Sequence, residues 1–281
     1  MHARVRVACR LGVLSLPLLA LLMAATPPAA QPPSAAQPPA PGPKKAVAPG
    51  EEIGRIDRSI LDDPGRPADE KAQDPGRKAL EVYEWLGVKP GMIVADVFPA
   101  AGYNTYLLSK VVGAKGKVYG VLEFFANKEL FDGKLYQRTE TLKERIAKNS
   151  LTNVELVDHL AQLKPNSVEA MIAVRNYHDV EWVFPGLTRK ECVAGMFNAL
   201  KPGGVVAIEE VATDKPGWDK DAHRLNEKVV IDDFTAGGFE LAERSNLLAN
   251  PQDDHSTSGF KEGRQNMDQY LLKFRKPSGH S

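Results

Sequence analysis

Cysteine is scarce: the 281 residues contain two, Cys9 and Cys192. Cys9 precedes an apolar N-terminal segment, so removal of that segment would leave Cys192 alone. A single cysteine makes no internal disulfide. The fold must then rest on a hydrophobic core, which about 230 residues can supply. Cys192 has no nucleophile context and reads as a small apolar residue on a helix. A charge excess is also missing, since 36 basic and 36 acidic residues cancel. The cancellation is uneven. Residues 1–49 carry Arg4, Arg6, Arg10, Lys44 and Lys45 and no acid, which leaves 31 basic and 36 acidic groups and a net of −5 for the rest. A mildly acidic domain lacks the basic stripe of a nucleic-acid binder, so no nucleic-acid partner is expected. Nor does any apolar run reach the ~20 residues of a membrane span.

What the N-terminus does contain resembles an export leader. Arg4, Arg6 and Arg10 precede an apolar run from Leu11 to Ala25, broken by Pro17. Small residues follow at Ala24, Ala25, Ala29 and Ala30, where a peptidase could cut. The expected organisation is a signal peptide over 1–26 and a Pro/Ala-rich, semi-rigid spacer over 27–50. A domain follows over 51–277, then a tail over 278–281. Export to the periplasm or medium follows from this, with no stable membrane span after cleavage. The alternative is an uncleaved anchor. If the anchor stays, the arginines before it favour sending the domain outward.

From Glu51 onward strands and helices alternate. Helices are expected over Arg77–Leu86, Tyr103–Val112, Glu129–Lys148, Arg189–Leu200 and Ala222–Ala236. Near-continuous apolar strands are expected over Met92–Phe98, Lys117–Leu122, Val154–Val157, Val168–Val174 and Val205–Val211. Phe239–Ser245 and Gln269–Phe274 close the domain as two strands with no helix between them. This predicts an α/β fold with a mostly parallel seven-stranded sheet, an antiparallel edge strand and helices on both faces.

In such sheets ligands bind beyond the carboxyl ends of the strands, where strand order reverses. The first strand ends Asp96-Val-Phe98-Pro-Ala100-Ala-Gly102-Tyr103. It lacks the G-x-G-x-x-G that brings backbone against a pyrophosphate. Asp96 would repel a pyrophosphate and suits a ligand carrying an ammonium group. Asp96-x-Phe98-x-Ala100-x-Gly102 resembles a glycine-depleted form of the acid-x-Gly-x-Gly-x-Gly loop of class I (Rossmann-like) S-adenosylmethionine-dependent methyltransferases. Leu200-Lys-Pro-Gly-Gly204 matches that family's turn into the fifth strand and is the most specific single motif. The chain also resembles a narrower group of predicted bacterial methyltransferases, many with export signals. That likeness runs from about Arg66 to Pro277. It rests on Arg66-Pro-Ala-Asp69, Arg77-Lys-Ala, Val174-Arg-Asn-Tyr-His-Asp179, His223-Arg224, Leu248-Ala-Asn-Pro-Gln-Asp253 and Leu272-Lys-Phe-Arg-Lys-Pro277. The departure is the loop, where related sequences carry more glycine than Ala100 and Ala101.

The resemblance implies S-adenosylmethionine as cofactor. Asp96, Phe98, Ala100, Gly102 and Tyr103 would face its methionine part, Glu123 the ribose hydroxyls and Asp158 the adenine. The end of the fourth strand would meet a small-molecule acceptor. His178 is the candidate base, because histidine titrates near neutral pH. Asp179 would orient its ring, and Tyr177 or Asn176 would hold the acceptor. His223 and Arg224, expected at a helix start, could also reach the crevice, with Arg224 pairing a substrate carboxylate. No set of His, Cys, Asp or Glu has metal-ligand spacing, so no metal site is expected; His255 beside Asp253 and Asp254 reads as polar loop. S-adenosylmethionine is made inside cells, which sets the leader against the fold. The rival reading is an exported, non-catalytic ligand-binding domain on the same scaffold.

Overall fold

The computed structural model describes residues 55–181, 186–258 and 266–279. The leader and the spacer lie outside the described residues. Two short helices, α1 (Ala68–Lys71) and α2 (Asp74–Arg77), precede α3 (Ala79–Leu86). Lys78 takes a left-handed φ of 45°. The helix expected from Arg77 therefore breaks there and restarts at Ala79.

Then follow β1 (Ile93–Val97), α4 (Tyr103–Val112), β2 (Lys117–Val121), α5 (Lys134–Lys148), β3 (Val154–Val157), β4 (Val168–Val174), α6 (Arg189–Ala199) and β5 (Leu200–Val211). The helix expected from Glu129 begins five residues later. Phe131, Asp132 and Gly133 all have positive φ, at 53°, 56° and 78°, and a helix cannot run through them. A small hairpin, β6 (Trp218–Asp219) and β7 (Arg224–Leu225), comes before α7 (Glu227–Ala236), β8 (Glu240–Ser245) and β9 (Gln269–Arg275).

The helix expected over Ala222–Ala236 is thus corrected at its start. Asn226 caps α7 by accepting the Lys228 N–H at 3.0 Å, and the residues before it belong to the hairpin. His223 and Arg224 accordingly sit on the hairpin and not at a helix start.

The seven-stranded sheet has the order β3-β2-β1-β4-β5-β9-β8. β1 to β5 are parallel, and β9 runs antiparallel between β5 and the edge strand β8. The expected sheet, with its antiparallel edge, is present. Side chains alternate between two cores, as the pleat requires. Val94, Ala170 and Ile172 pack with Leu80 and Tyr83 of α3 and with Leu107 and Leu108 of α4. Ala95, Val97, Met171 and Ala173 pack with Leu142 of α5, Met196 of α6 and Phe234 of α7. Strand order reverses between β1 and β4, so their carboxyl ends open the crevice. Among the described residues no helix is long and apolar enough to cross a membrane.

Candidate functional site

The loop after β1 has left-handed backbone at alternate positions. Phe98, Ala100 and Gly102 have φ of 65°, 49° and 87°, all in the left-handed region. Alternate positions that favour glycine therefore hold a phenylalanine and an alanine, each at a conformational cost of ~1–2 kcal/mol. The last glycine is retained for a second reason: a Cβ there would collide with Leu142 Cδ1. Phe98 recovers its cost by burial. It is 2% exposed and stacks on Phe124, with centroids 4.8 Å apart and planes at 17°.

Asp96, on β1, is buried and accepts a 2.6 Å hydrogen bond from the Thr105 hydroxyl. Burial pushes its carboxyl up to about 7, against the opposing pull of the Thr105 hydrogen bonds and the Arg77 charge.

A cavity of about 310 Å³ opens beside this loop. That is near the lower end of the ~300–1,000 Å³ usual for small-molecule pockets. Of the residues singled out from sequence, Phe98, Ala100, Tyr103 and Asn176 line it. Asn176 is held by its amide, which donates to the Val174 carbonyl at 2.9 Å. Three arginines, Arg77, Arg138 and Arg175, also line it, with Asp69 and Glu70 opposite in charge. Sequence reading did not assign these to the site. Arg77 lies over the Tyr103 ring at 4.3 Å, and the Tyr103 hydroxyl donates to Asp74 at 2.6 Å. Arg66 grips the same Asp74 through two hydrogen bonds of 2.7 and 2.6 Å. The Arg66 and Arg77 motifs thus form one wall around Tyr103.

Glu123 sits just after β2, 7% exposed, with φ 47°. One carboxylate oxygen accepts the Leu160 N–H at 2.7 Å, and the other faces His159 Nδ1 at 3.1 Å. The His159 side chain is 61% exposed, so it covers the carboxylate from outside. Asp158 is exposed, and its carbonyl accepts the Glu123 N–H at 2.7 Å.

The residues after β4 depart from expectation. Tyr177 is fully buried, and its hydroxyl donates to Asp233 at 2.9 Å, away from the crevice. His178 is buried with both ring nitrogens engaged: Nδ1 lies 2.6 Å from Glu210 and Nε2 2.7 Å from His223. Glu210 of β5 holds the imidazole at Nδ1, and Asp179, expected to orient the ring, lies 3.3 Å from Nε2. Glu210 also accepts the Tyr177 and His178 N–H groups at 2.8 and 3.2 Å. The sequence signal was present in Glu209-Glu210, adjacent acids in a buried strand; Glu209 faces Arg175 at 3.2 Å.

Arg224 is corrected in role as well as position. Its guanidinium is fully buried and donates to the carbonyls of Ala212 and Thr257 at 2.8 and 3.0 Å. It also pairs with Asp253 at 2.9 Å. No donor face remains toward a substrate carboxylate; Arg224 ties the hairpin to the Leu248–Asp253 segment. Sequence spacing suggested no metal-ligand set, but the fold gathers one cluster of potential ligands. The neighbours His178 and Asp179 meet His223, 45 residues beyond His178, and the three place one ligand atom each within 4.8 Å of one another.

No protein-family model matches the chain, and no curated protein matches it. Solved structures do share its fold. A SAM-dependent methyltransferase from Aquifex aeolicus aligns with a TM-score of 0.52 at 19% identity, covering 78% of this chain and 97% of that one. The geranyl diphosphate C-methyltransferase of Streptomyces coelicolor aligns at 0.52 and 15%, covering 80% and 90%. The [4+2]-cyclase SpnF aligns at 0.54 and 16%, covering 76% and 85%. A cyclase and methyltransferases on one scaffold show that this scaffold does not by itself set the reaction. The described domain has the Rossmann-like fold of class I methyltransferases.

Proposed function

We propose that the domain binds S-adenosylmethionine in the β1–β4 crevice and methylates a small-molecule acceptor. The observation that carries this reading is the loop. Left-handed backbone persists at 98, 100 and 102, and a buried acid precedes it, although two of the three positions no longer hold glycine. Backbone shape retained at such cost supports a ligand that needs it.

The residues fit that ligand at both ends, with one movement. At the methionine end, the cavity offers Arg77, Arg138 and Arg175 to a carboxylate and Asp69 to an ammonium. At the nucleoside end, Glu123 can accept ribose hydroxyls once the exposed His159 ring swings away; its Leu160 hydrogen bond stays in place. Phe98 supplies an aromatic wall, backed by the stacked Phe124 ring. The bound sulfonium would supply an activated methyl group. The chain's own contribution is placement: Asn176 faces the cavity, and a fixed geometry supplies much of the rate in such transfers. The leader further supports a location outside the cytoplasm, which fractionation of expressing cells would test.

Calorimetric titration of the purified protein with S-adenosylmethionine tests the cofactor assignment. Binding in the micromolar range, about −8 kcal/mol, is expected, and Glu123→Ala should weaken it at least tenfold. A wild-type protein that binds nothing up to millimolar ligand refutes the assignment.

Two observations favour a second reading. Glu123 is engaged internally, and Phe98 fills a glycine position with a buried side chain. Both suit a non-catalytic domain that holds a different small, zwitterionic ligand in the arginine-lined cavity.

A further inference from the structure

We infer that His178, Asp179 and His223 bind one divalent transition-metal ion, with Glu210 as the positioning residue behind His178. The ligands come from two places that the fold brings together: the turn after β4 and the β6–β7 hairpin. His178 Nε2 lies 2.7 Å from His223 Nε2 and 3.3 Å from Asp179 Oδ1, and His223 Nε2 lies 3.9 Å from the same Oδ1. Metal bonds of ~2.0–2.2 Å require ligand atoms about 2.9 Å apart at right angles and about 3.4 Å apart in a tetrahedron. The observed triangle brackets those values, so changes of a few tenths of an ångström bring all three atoms onto one ion.

The tautomer of His178 is set for this role. Glu210 is fully buried and sits 2.6 Å from Nδ1, so the proton resides on Nδ1 and the Nε2 lone pair points into the triangle. A carboxylate behind a histidine in this way raises ligand basicity and fixes the ring. Trp218 stacks on the His178 ring at 4.7 Å with planes at 11° and meets His223 edge-on at 4.9 Å, which restrains both imidazoles. His178 and His223 are nearly sealed, with side chains 3% and 7% exposed, while Asp179 at 18% exposure faces the way in.

Two imidazoles and one carboxylate suit zinc, iron(II) or cobalt(II) better than magnesium or calcium, which prefer oxygen alone. Three protein ligands leave at least one coordination position for water or a ligand. The metal site does not depend on the methyl-transfer reading.

The test uses the purified full chain, stripped with chelator and titrated with zinc by calorimetry and with cobalt(II) by visible absorption. One equivalent should bind at micromolar affinity or tighter, and cobalt(II) should give ligand-field bands in the visible. Cobalt(II) should also quench the Trp218 emission, a signal that Trp218→Phe removes. His223→Ala should weaken zinc binding at least 100-fold, and Glu210→Gln by 10- to 100-fold. Circular dichroism and thermal melting check that the variants fold. If His223→Ala does not fold, Asp179→Asn at the partly exposed position decides, with an expected loss of at least tenfold. Wild-type affinity weaker than millimolar overturns the proposal. So does unchanged affinity in folded His223→Ala or Asp179→Asn.

Discussion

Replacing Asp96 by Asn should make the domain more stable at pH 8 than at pH 5 relative to wild type. Asp96 is fully buried on β1, and its carboxyl is pushed up to about 7 by burial. In the unfolded chain it returns to about 3.9. The folded state therefore holds the proton more tightly than the unfolded state. Stability is fully present below about pH 4, falls as pH rises, and levels off above about pH 7. The full gap is worth roughly 4 kcal/mol, of which about 3 kcal/mol lies between pH 5 and pH 8. Asparagine carries no proton to lose, and its carbonyl can still accept from the Thr105 hydroxyl, as Asp96 does at 2.6 Å. Urea unfolding followed by circular dichroism, on both proteins at pH 5, 6, 7 and 8, isolates the contribution of this one group. The variant-minus-wild-type difference should grow by about 3 kcal/mol across that range. A difference that stays constant with pH would refute the claim that Asp96 folds as a largely protonated acid below neutrality.

His159→Ala should leave S-adenosylmethionine binding intact or tighten it a few-fold in calorimetry, because the ring covers Glu123 from the solvent side; a tenfold loss would show that the ring contacts the ligand. Arg224→Met should destabilise the domain by about 2–4 kcal/mol in urea unfolding, since it removes the buried guanidinium from Asp253 and leaves the Ala212 and Thr257 carbonyls without its donors; a loss under 1 kcal/mol would mean that the pair is dispensable. Cys192 is fully buried and its thiol is pushed up by burial, so a thiol reagent at pH 8 should fail to label the native protein and should label it in urea. Rapid native labelling would contradict its place in the core.

The sheet was legible because its strands are nearly continuous apolar runs, Ile93–Val97 and Val168–Val174 above all, and such runs state their own burial. The crevice followed from strand order. Its cationic lining did not, because Arg138 and Arg175 read as ordinary charges until the fold brings them to the edge of one cavity. The hairpin at 218–225 was hidden by residues compatible with a helix. The start signal was Asn226, whose cap bond to Lys228 is visible only in the structure. The His178–His223 contact joins positions 45 apart in sequence, so no spacing rule could reveal it. Glu210 was passed over as a strand residue because its partners come from the neighbouring β4 turn.

Phe98 and Ala100 hold left-handed backbone beside the crevice proposed to take S-adenosylmethionine. The most direct measurement is calorimetric titration of wild type and Glu123→Ala with S-adenosylmethionine and S-adenosylhomocysteine. Wild type should show one site of micromolar affinity, and the variant at least tenfold weaker binding. Wild-type binding absent at millimolar ligand, or equal affinity in both proteins, would contradict that proposal.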